Sequence, residues 1–92
     1  METNDFEWDD DKAAKVLAAR GVSFWDASRI FDDPLYIQIP DRDDPEARTK
    51  AVGRVDDRLL TMIFTDGLEG RIRIITAWPS TTEETDDFNA QA

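Results

Sequence analysis

The first third of the chain carries apolar residues at the spacing of two amphipathic helices. The apolar positions are Ala13, Val16 and Leu17 in the first block, then Ala27, Ile30 and Phe31 in the second. Gly21 stands where the first helix would end, because glycine readily adopts the left-handed conformation of a helix terminus. Ser23 can cap the second helix, and Pro34 disfavours helical geometry at the residue before it. The pattern predicts helices over 10–20 and 23–32.

From Leu35 onward the apolar residues alternate with polar ones, as they do in strands. The alternating runs cover residues 35–39, 48–55, 58–65 and 71–78. Loops or short turns separate the runs, so consecutive strands would pair as a four-stranded antiparallel meander. Phe6-Glu7-Trp8 also alternates, as a short strand would, and residues 82–89 can form a short last helix. The predicted fold is α+β, a single domain over 1–92 with both N-terminal helices on one face of the sheet.

The sheet face away from these helices would be basic if the strand registers align. Its side chains would be Tyr36, Gln38, Lys50, Arg54, Arg71 and Arg73. Two interpretations stay open at this point, because such a face can bind an anionic ligand or can simply be a solvated sheet surface.

The acidity of the protein is concentrated at its two ends. The net charge is −10, yet residues 12–78 contain eleven bases and eleven acids and sum to zero. Residues 1–11 carry six acids and residues 79–92 carry four, and neither segment has a base. These ends either serve solubility alone, or they repel nucleic acid or attract a basic partner. We expect the end segments 1–5 and 89–92 to be flexible.

Composition excludes several kinds of chemistry. The chain has no cysteine and no histidine, which removes disulfides, thiolates, the usual general base near neutral pH and the commonest metal ligand. No apolar run approaches the ~20 residues of a membrane span, and the acidic N-terminus does not resemble a signal peptide. Asp41, Asp43 and Asp44 lack the glycine and the glutamate that a calcium loop requires. We therefore expect a cytoplasmic protein without a cofactor or metal ion.

Several stretches, in order along residues 6–88, resemble one known family. They are Phe6-Glu7-Trp8-Asp9 with Lys12, Gly21-Val22-Ser23-Phe24 with Ala27, Phe31-Asp32-Asp33-Pro34, Glu46 with Arg48 and Gly53, Arg73-Ile74-Ile75-Thr76-Ala77, and Glu84 with Phe88. In these stretches the chain resembles the BrnT-type toxins of bacterial type II toxin–antitoxin systems. The resemblance implies a RelE-like ribonuclease fold, a cognate antitoxin, and metal-independent cleavage of RNA with the 2′-hydroxyl as nucleophile.

The resemblance also implies site residues, because enzymes of this kind stabilise the charged transition state with cationic side chains. The candidates are Arg48 and Arg73 for catalysis, Lys50, Arg54 and Arg71 for phosphate binding, and Tyr36 as a weak acid–base group. The alternative is that Arg48 and Arg73 only form ion pairs, with Glu46 or Glu69. RNA would be the substrate, and we expect no direct DNA binding by this chain alone.

The chain departs from the family pattern where the family carries charge. In family members basic residues come directly after the sequence R-I-I-S-A, whereas Trp78 and Pro79 occupy these positions in this chain. In the last helix Phe88 replaces a tyrosine. Val16 and Ala19-Arg20 replace the Asn and Lys-His of the first helix. Fewer nearby cations weaken phosphate binding. Two functions therefore stay open: a ribonuclease toxin of weak activity, and a catalytically impaired relative that acts as an antitoxin-binding or regulatory module.

Overall fold

A computed structural model describes residues 1–91 and confirms the α+β class; position 92, the end of one segment expected to be flexible, lies outside the described residues. The helices are α1 (Asp10–Arg20), α2 (Phe24–Ser28) and α3 (Thr82–Gln91), with 3₁₀ turns at Arg29–Asp32 and Leu68–Gly70. The strands are β1 (Phe6–Glu7), β2 (Ile37–Pro40), β3 (Thr49–Val55), β4 (Arg58–Asp66) and β5 (Ile72–Pro79). None of the three helices is long and apolar enough to cross a membrane.

The five strands form one mixed sheet in the order β1-β5-β4-β3-β2. Strands β2 to β5 pair antiparallel with their chain neighbours, which confirms the predicted meander. The prediction of four strands was wrong, because β1 adds a fifth strand that runs parallel to β5, with Glu7 opposite Arg73. A two-residue strand has no pattern that identifies its partner. The long connection that a parallel pair needs is supplied here by the helices and the meander.

Local chemistry explains where the N-terminal helices begin and end. The Asp9 carboxylate accepts a hydrogen bond from Lys12 N at 3.0 Å and caps α1. Gly21 ends this helix at φ 69°, a conformation that costs little without a Cβ. The Ser23 hydroxyl accepts from Asp26 N at 3.0 Å and caps α2. The predicted roles of Gly21 and Ser23 are therefore confirmed.

The main hydrophobic core lies between the two N-terminal helices and one face of the sheet, called here the helix face. Its buried side chains include Val16, Phe24, Ala27, Ile30, Ala51, Leu60, Met62 and Ala77. Gly53 of β3 allows the close approach of the segment after α2, because a Cβ there would lie 2.9 Å from Ile30 Cγ2 and 3.0 Å from Tyr36 Cβ. Both N-terminal helices thus cover the same face, as predicted.

The C-terminal helix covers part of the opposite face, called here the distal face. Thr61 alternates along β4 with the core residues Leu60 and Met62, so its side chain points to the distal face. The Thr61 hydroxyl donates to the Glu84 carboxylate of α3 at 3.0 Å. Phe88, one turn further along α3, is 5 % exposed. The expectation of an open basic face is therefore wrong for the part of the sheet beneath α3.

Candidate functional site

Strand alternation places most of the predicted cations on the distal face. They are Lys50 and Arg54 in β3, Arg73 in β5, and Arg48 and Arg71, which stand two residues before Lys50 and Arg73. The neighbour of Lys50, Ala51, and the neighbour of Arg73, Ile74, are buried in the helix-face core. Because successive side chains point to opposite faces, the cations point away from that core.

Tyr36 and Gln38 do not belong to this basic face, so the prediction that placed them there was wrong. The Tyr36 ring packs edge-on against Phe31 with centroids 5.1 Å apart, next to Gly53 and the helix-face core. Gln38 is paired with the core residue Ala51 and donates from Nε2 to the Tyr36 hydroxyl at 3.1 Å. Tyr36 therefore lies on the wrong side of the sheet to exchange protons with a ligand on the distal face.

Arg48 and Arg73 lie on one row of the distal face with Thr65 between them. Thr65 of β4 is paired with Arg73 of β5. Thr49 is paired with Phe64, which places Arg48 level with Thr65. Since adjacent strands are about 4.8 Å apart, the two arginine backbones are separated by roughly 10 Å. Both residues are exposed, so an anionic ligand on the distal face can reach each of them.

Arg73 is held by a buried carboxylate from β1. Its Nη1 donates to Glu7 Oε2 at 2.8 Å, and Glu7 Oε1 accepts from Leu68 N at 2.7 Å. Glu7 is 6 % exposed, whereas the Arg73 side chain is 44 % exposed. The hydrogen bond from Leu68 N, reinforced by Arg73, holds the pKa of Glu7 below its usual value. Arg73 is thus oriented and partly neutralised while it stays accessible to a ligand.

Gly67 provides the space that Glu7 occupies. A Cβ at this position would collide with Glu7 Oε1 and would lie 2.8 Å from Glu7 Cδ. The turn between β4 and β5 therefore has a direct role in placing the carboxylate that binds Arg73.

A second buried carboxylate, Glu84, binds Lys50 and three hydrogen-bond donors. Its Oε2 lies 3.3 Å from Lys50 Nζ. Its Oε1 accepts from Trp78 Nε1 at 2.8 Å, Thr81 N at 2.9 Å and Thr61 Oγ1 at 3.0 Å. Burial raises the pKa of Glu84, but these hydrogen bonds and Lys50 together lower it by more, so the net shift is downward. Lys50 is therefore neutralised inside the fold and is a poor candidate for phosphate binding.

Acids near the chain ends neutralise basic side chains of the same molecule. Arg71 donates from Nε to Thr3 O at 2.8 Å and lies 3.9 Å from Glu2 and 3.5 Å from Glu69. With the two pairs described above, three of the five predicted cations are bound to carboxylates. The predicted alternative, a pair of Arg73 with Glu46 or Glu69, is wrong, because Arg73 pairs with Glu7 instead.

Arg48 and Arg54 form no ion pair with any of residues 1–91. The predicted alternative, a pair between Arg48 and Glu46, is therefore absent in this part of the chain. Arg54 lies six residues along β3 from Arg48, a distance of roughly 20 Å. The structure thus brings Arg48 and Arg73 together and leaves Arg54 outside their row.

Comparison with known proteins identifies the family. The family model of BrnT, the ribonuclease toxin of type II toxin–antitoxin systems, matches residues 8–84. The chain belongs to the BrnT family. The crystal structure of the Brucella abortus ribonuclease toxin BrnT is similar with a TM-score of 0.69, at 18 % identity, over 87 % of this chain and 100 % of that chain. No curated protein sequence matches the chain. The type II toxin family implies that an antitoxin is the partner.

Two departures from the BrnT pattern have structural roles in this chain. Trp78 donates its indole N–H to Glu84, and Phe88 of α3 is buried. Both residues help to fasten the acidic C-terminal helix to the distal face. At position 78 the indole therefore takes the place of a basic side chain of the pattern, and at position 88 a buried phenyl ring takes the place of a tyrosine.

Sequence reasoning missed one cation in this BrnT chain as a site residue. Arg20 donates from Nη1 to Thr76 Oγ1 at 2.9 Å and to Ala77 O at 3.2 Å, and its Cζ lies 5.7 Å from the centre of the Trp78 ring. An arginine at the end of a helix predicts only a favourable interaction with the helix dipole. No local signal could have shown that α1 ends beside β5.

Proposed function

We propose that this chain is the toxin of a type II pair and a weak, metal-independent endoribonuclease of RelE-like type. The observation that supports the proposal best is the row formed by Arg48, Thr65 and Arg73 on the distal face. Two exposed guanidinium groups on one row suit the recognition of phosphate oxygens, because the planar guanidinium can donate two parallel hydrogen bonds to such a group. Antitoxin binding would control access to this row in the cell.

The reaction would use the RNA itself as nucleophile. The 2′-hydroxyl loses its proton and attacks the adjacent phosphorus, the bond from phosphorus to the 5′-oxygen breaks, and the leaving oxygen takes up a proton. The products carry a 2′,3′-cyclic phosphate and a 5′-hydroxyl. Arg48 and Arg73 would stabilise the negative charge that develops on the phosphoryl oxygens. Glu7 is a weak base because its pKa is lowered, so solvent water would carry the protons.

Weak activity follows from the charge around the row. Arg73 shares its charge with Glu7, Lys50 shares its charge with Glu84, and the net charge of −10 repels RNA. Loss of a single well-placed transition-state contact lowers a rate by about 10²–10³. We therefore expect slower cleavage than in BrnT proteins that have basic residues at the positions of Trp78 and Pro79.

The test is cleavage of a fluorescent RNA by the purified chain in the presence of EDTA. Cleavage should stop in the double variant Arg48→Ala with Arg73→Ala, and a single 2′-deoxy substitution at the cleaved position should protect the RNA. Arg42→Ala is the matched control, because Arg42 is 87 % exposed and its one ion pair within residues 1–91 is with Glu83, at 3.6 Å. Cleavage that persists in the double variant, or on the 2′-deoxy substrate, would contradict the proposal.

The second candidate function is an antitoxin-binding or regulatory module without catalysis. The observation that favours it is the neutralisation of Lys50, Arg71 and Arg73 by acids of the same chain. Under this alternative the native chain would bind its antitoxin but would neither cleave RNA nor slow growth when it is expressed alone. The same cleavage assay, with a growth measurement, separates the two functions.

A further inference from the structure

Arg20 is held at the margin of the distal face by contacts that leave its charge intact. Its guanidinium donates to a hydroxyl and a carbonyl, of Thr76 and Ala77, and lies over the aromatic ring of Trp78. None of these partners is anionic. Hydrogen bonds and a cation–π contact fix the orientation of the group without cancelling its positive charge.

The position of Arg20 is part of the same face as the arginine row. Thr76 and Trp78 are paired with Ile63 and Thr61 of β4, and the Trp78 indole donates to Glu84 on the distal face. Thr76 lies three residues beyond Arg73 along β5, which corresponds to roughly 10 Å. Arg20 therefore lies beside the strand positions where Trp78 and Pro79 replace basic residues of the BrnT pattern.

Arg20 is one of five basic side chains that form no ion pair within residues 1–91. The other six of the eleven basic side chains do form ion pairs there. Arg20 is also exposed. An oriented, exposed and unneutralised guanidinium in a chain of net charge −10 is a suitable contact for an anion.

We propose that Arg20 binds a backbone phosphate of the RNA strand that flanks the phosphate held by Arg48 and Arg73. Trp78 acts as a positioning residue that keeps the guanidinium at this margin. The inference rests on the proposed function, because RNA is the ligand in both. It adds a phosphate contact supplied by α1, an element outside the strands that carry the arginine row.

The experiment measures binding of a fluorescein-labelled 2′-O-methyl oligoribonucleotide, which cannot be cleaved, by anisotropy between 50 and 200 mM salt. Arg20→Gln is compared with Lys15→Gln, which removes the same charge from an exposed position on the same helix. The logarithm of the binding constant falls linearly with the logarithm of the salt concentration, and we call the steepness of this line the salt slope. Loss of one phosphate contact should reduce the salt slope by about 0.7. The affinity advantage of the native chain over Arg20→Gln should then shrink by about 2.6-fold across this fourfold salt range. Lys15→Gln should keep the native slope.

Arg20→Lys separates phosphate binding from a structural role. It keeps the charge and loses the planar fork, so it should retain the native salt slope with a lower affinity. Equal salt slopes in Arg20→Gln and Lys15→Gln would overturn the inference. It would also be overturned if Arg20→Lys folds but its salt slope is as low as that expected for Arg20→Gln. A native chain that binds this RNA but cleaves none would refute the ribonuclease proposal alone. A native chain that does not bind it would refute both.

Discussion

Glu84→Gln should destabilise the fold much more than the same change at the neighbouring position, Glu83→Gln. Glu84 is 5 % exposed and its carboxylate has four partners. The Glu83 side chain is 74 % exposed, and Arg42, its single ionic partner among the described residues 1–91, is 87 % exposed. Glutamine has nearly the same shape as glutamate, so the comparison changes charge and hydrogen bonding but little of the packing. Its amide nitrogen would face Lys50 Nζ, which is also a donor.

The magnitude follows from the hydrogen bonds in the structure. A hydrogen bond to a charged group contributes about 1.5–3 kcal/mol and one between neutral groups about 0.5–1.5 kcal/mol. Three donors would thus lose part of their interaction energy, and the attraction of Lys50, which is 22 % exposed, would be lost as well. We expect the free energy of unfolding to fall by about 3 kcal/mol, which corresponds to roughly 12–24 °C in Tm for a domain of this size. Glu83→Gln should change it by less than about 0.5 kcal/mol.

Urea denaturation followed by circular dichroism at pH 7 and at acid pH is the appropriate assay. Because the folded-state pKa of Glu84 is lowered, its stabilising contribution is complete above the pKa of the unfolded carboxyl, about 4.3. The contribution is lost as the pH falls through the lower folded-state pKa. The difference in the free energy of unfolding between the native chain and Glu84→Gln should therefore become smaller at acid pH. Equal stability of the native chain and Glu84→Gln at pH 7 would refute this reasoning. A difference in stability between them that does not change with pH would refute it as well.

Two further predictions concern the site and the partner. Gly67→Ala should displace Glu7 and cost about 1–3 kcal/mol of stability through overpacking, and it should alter RNA cleavage because Arg73 loses its support. Unchanged melting and cleavage in this variant would show that Glu7 does not need the space at Gly67. Association with the antitoxin should slow as salt increases, because exposed charges are screened beyond about 10 Å at 0.1 M salt. Stopped-flow rates that are equal at low and high salt would rule out charge steering.

The elements of this fold follow from short-range signals in the sequence. Gly21 ends α1 and Ser23 caps α2 through interactions that span three or four residues, so both could be predicted without the rest of the chain. The alternation of apolar residues in β3 and β4 likewise depends on which side of a strand faces the core, whereas in β2 the polar Gln38 is the residue on the helix face. The connections between these strands contain no long helical crossover, so the strands pair antiparallel with their chain neighbours. The cations of the candidate site could be identified by type and by parity for the same reason.

The tertiary structure alone decided how those cations are used. Arg73 and its partner Glu7 are 66 residues apart in the sequence, and only the parallel pairing of β1 with β5 brings them together. Alternation shows which side chains share a face but not what covers that face, so the position of α3 and the pairing of Lys50 with Glu84 could not be predicted. Arg20 reaches Trp78 only because α1 ends beside β5. Charge partners depend on which elements become neighbours, and the packing of the whole domain determines that arrangement.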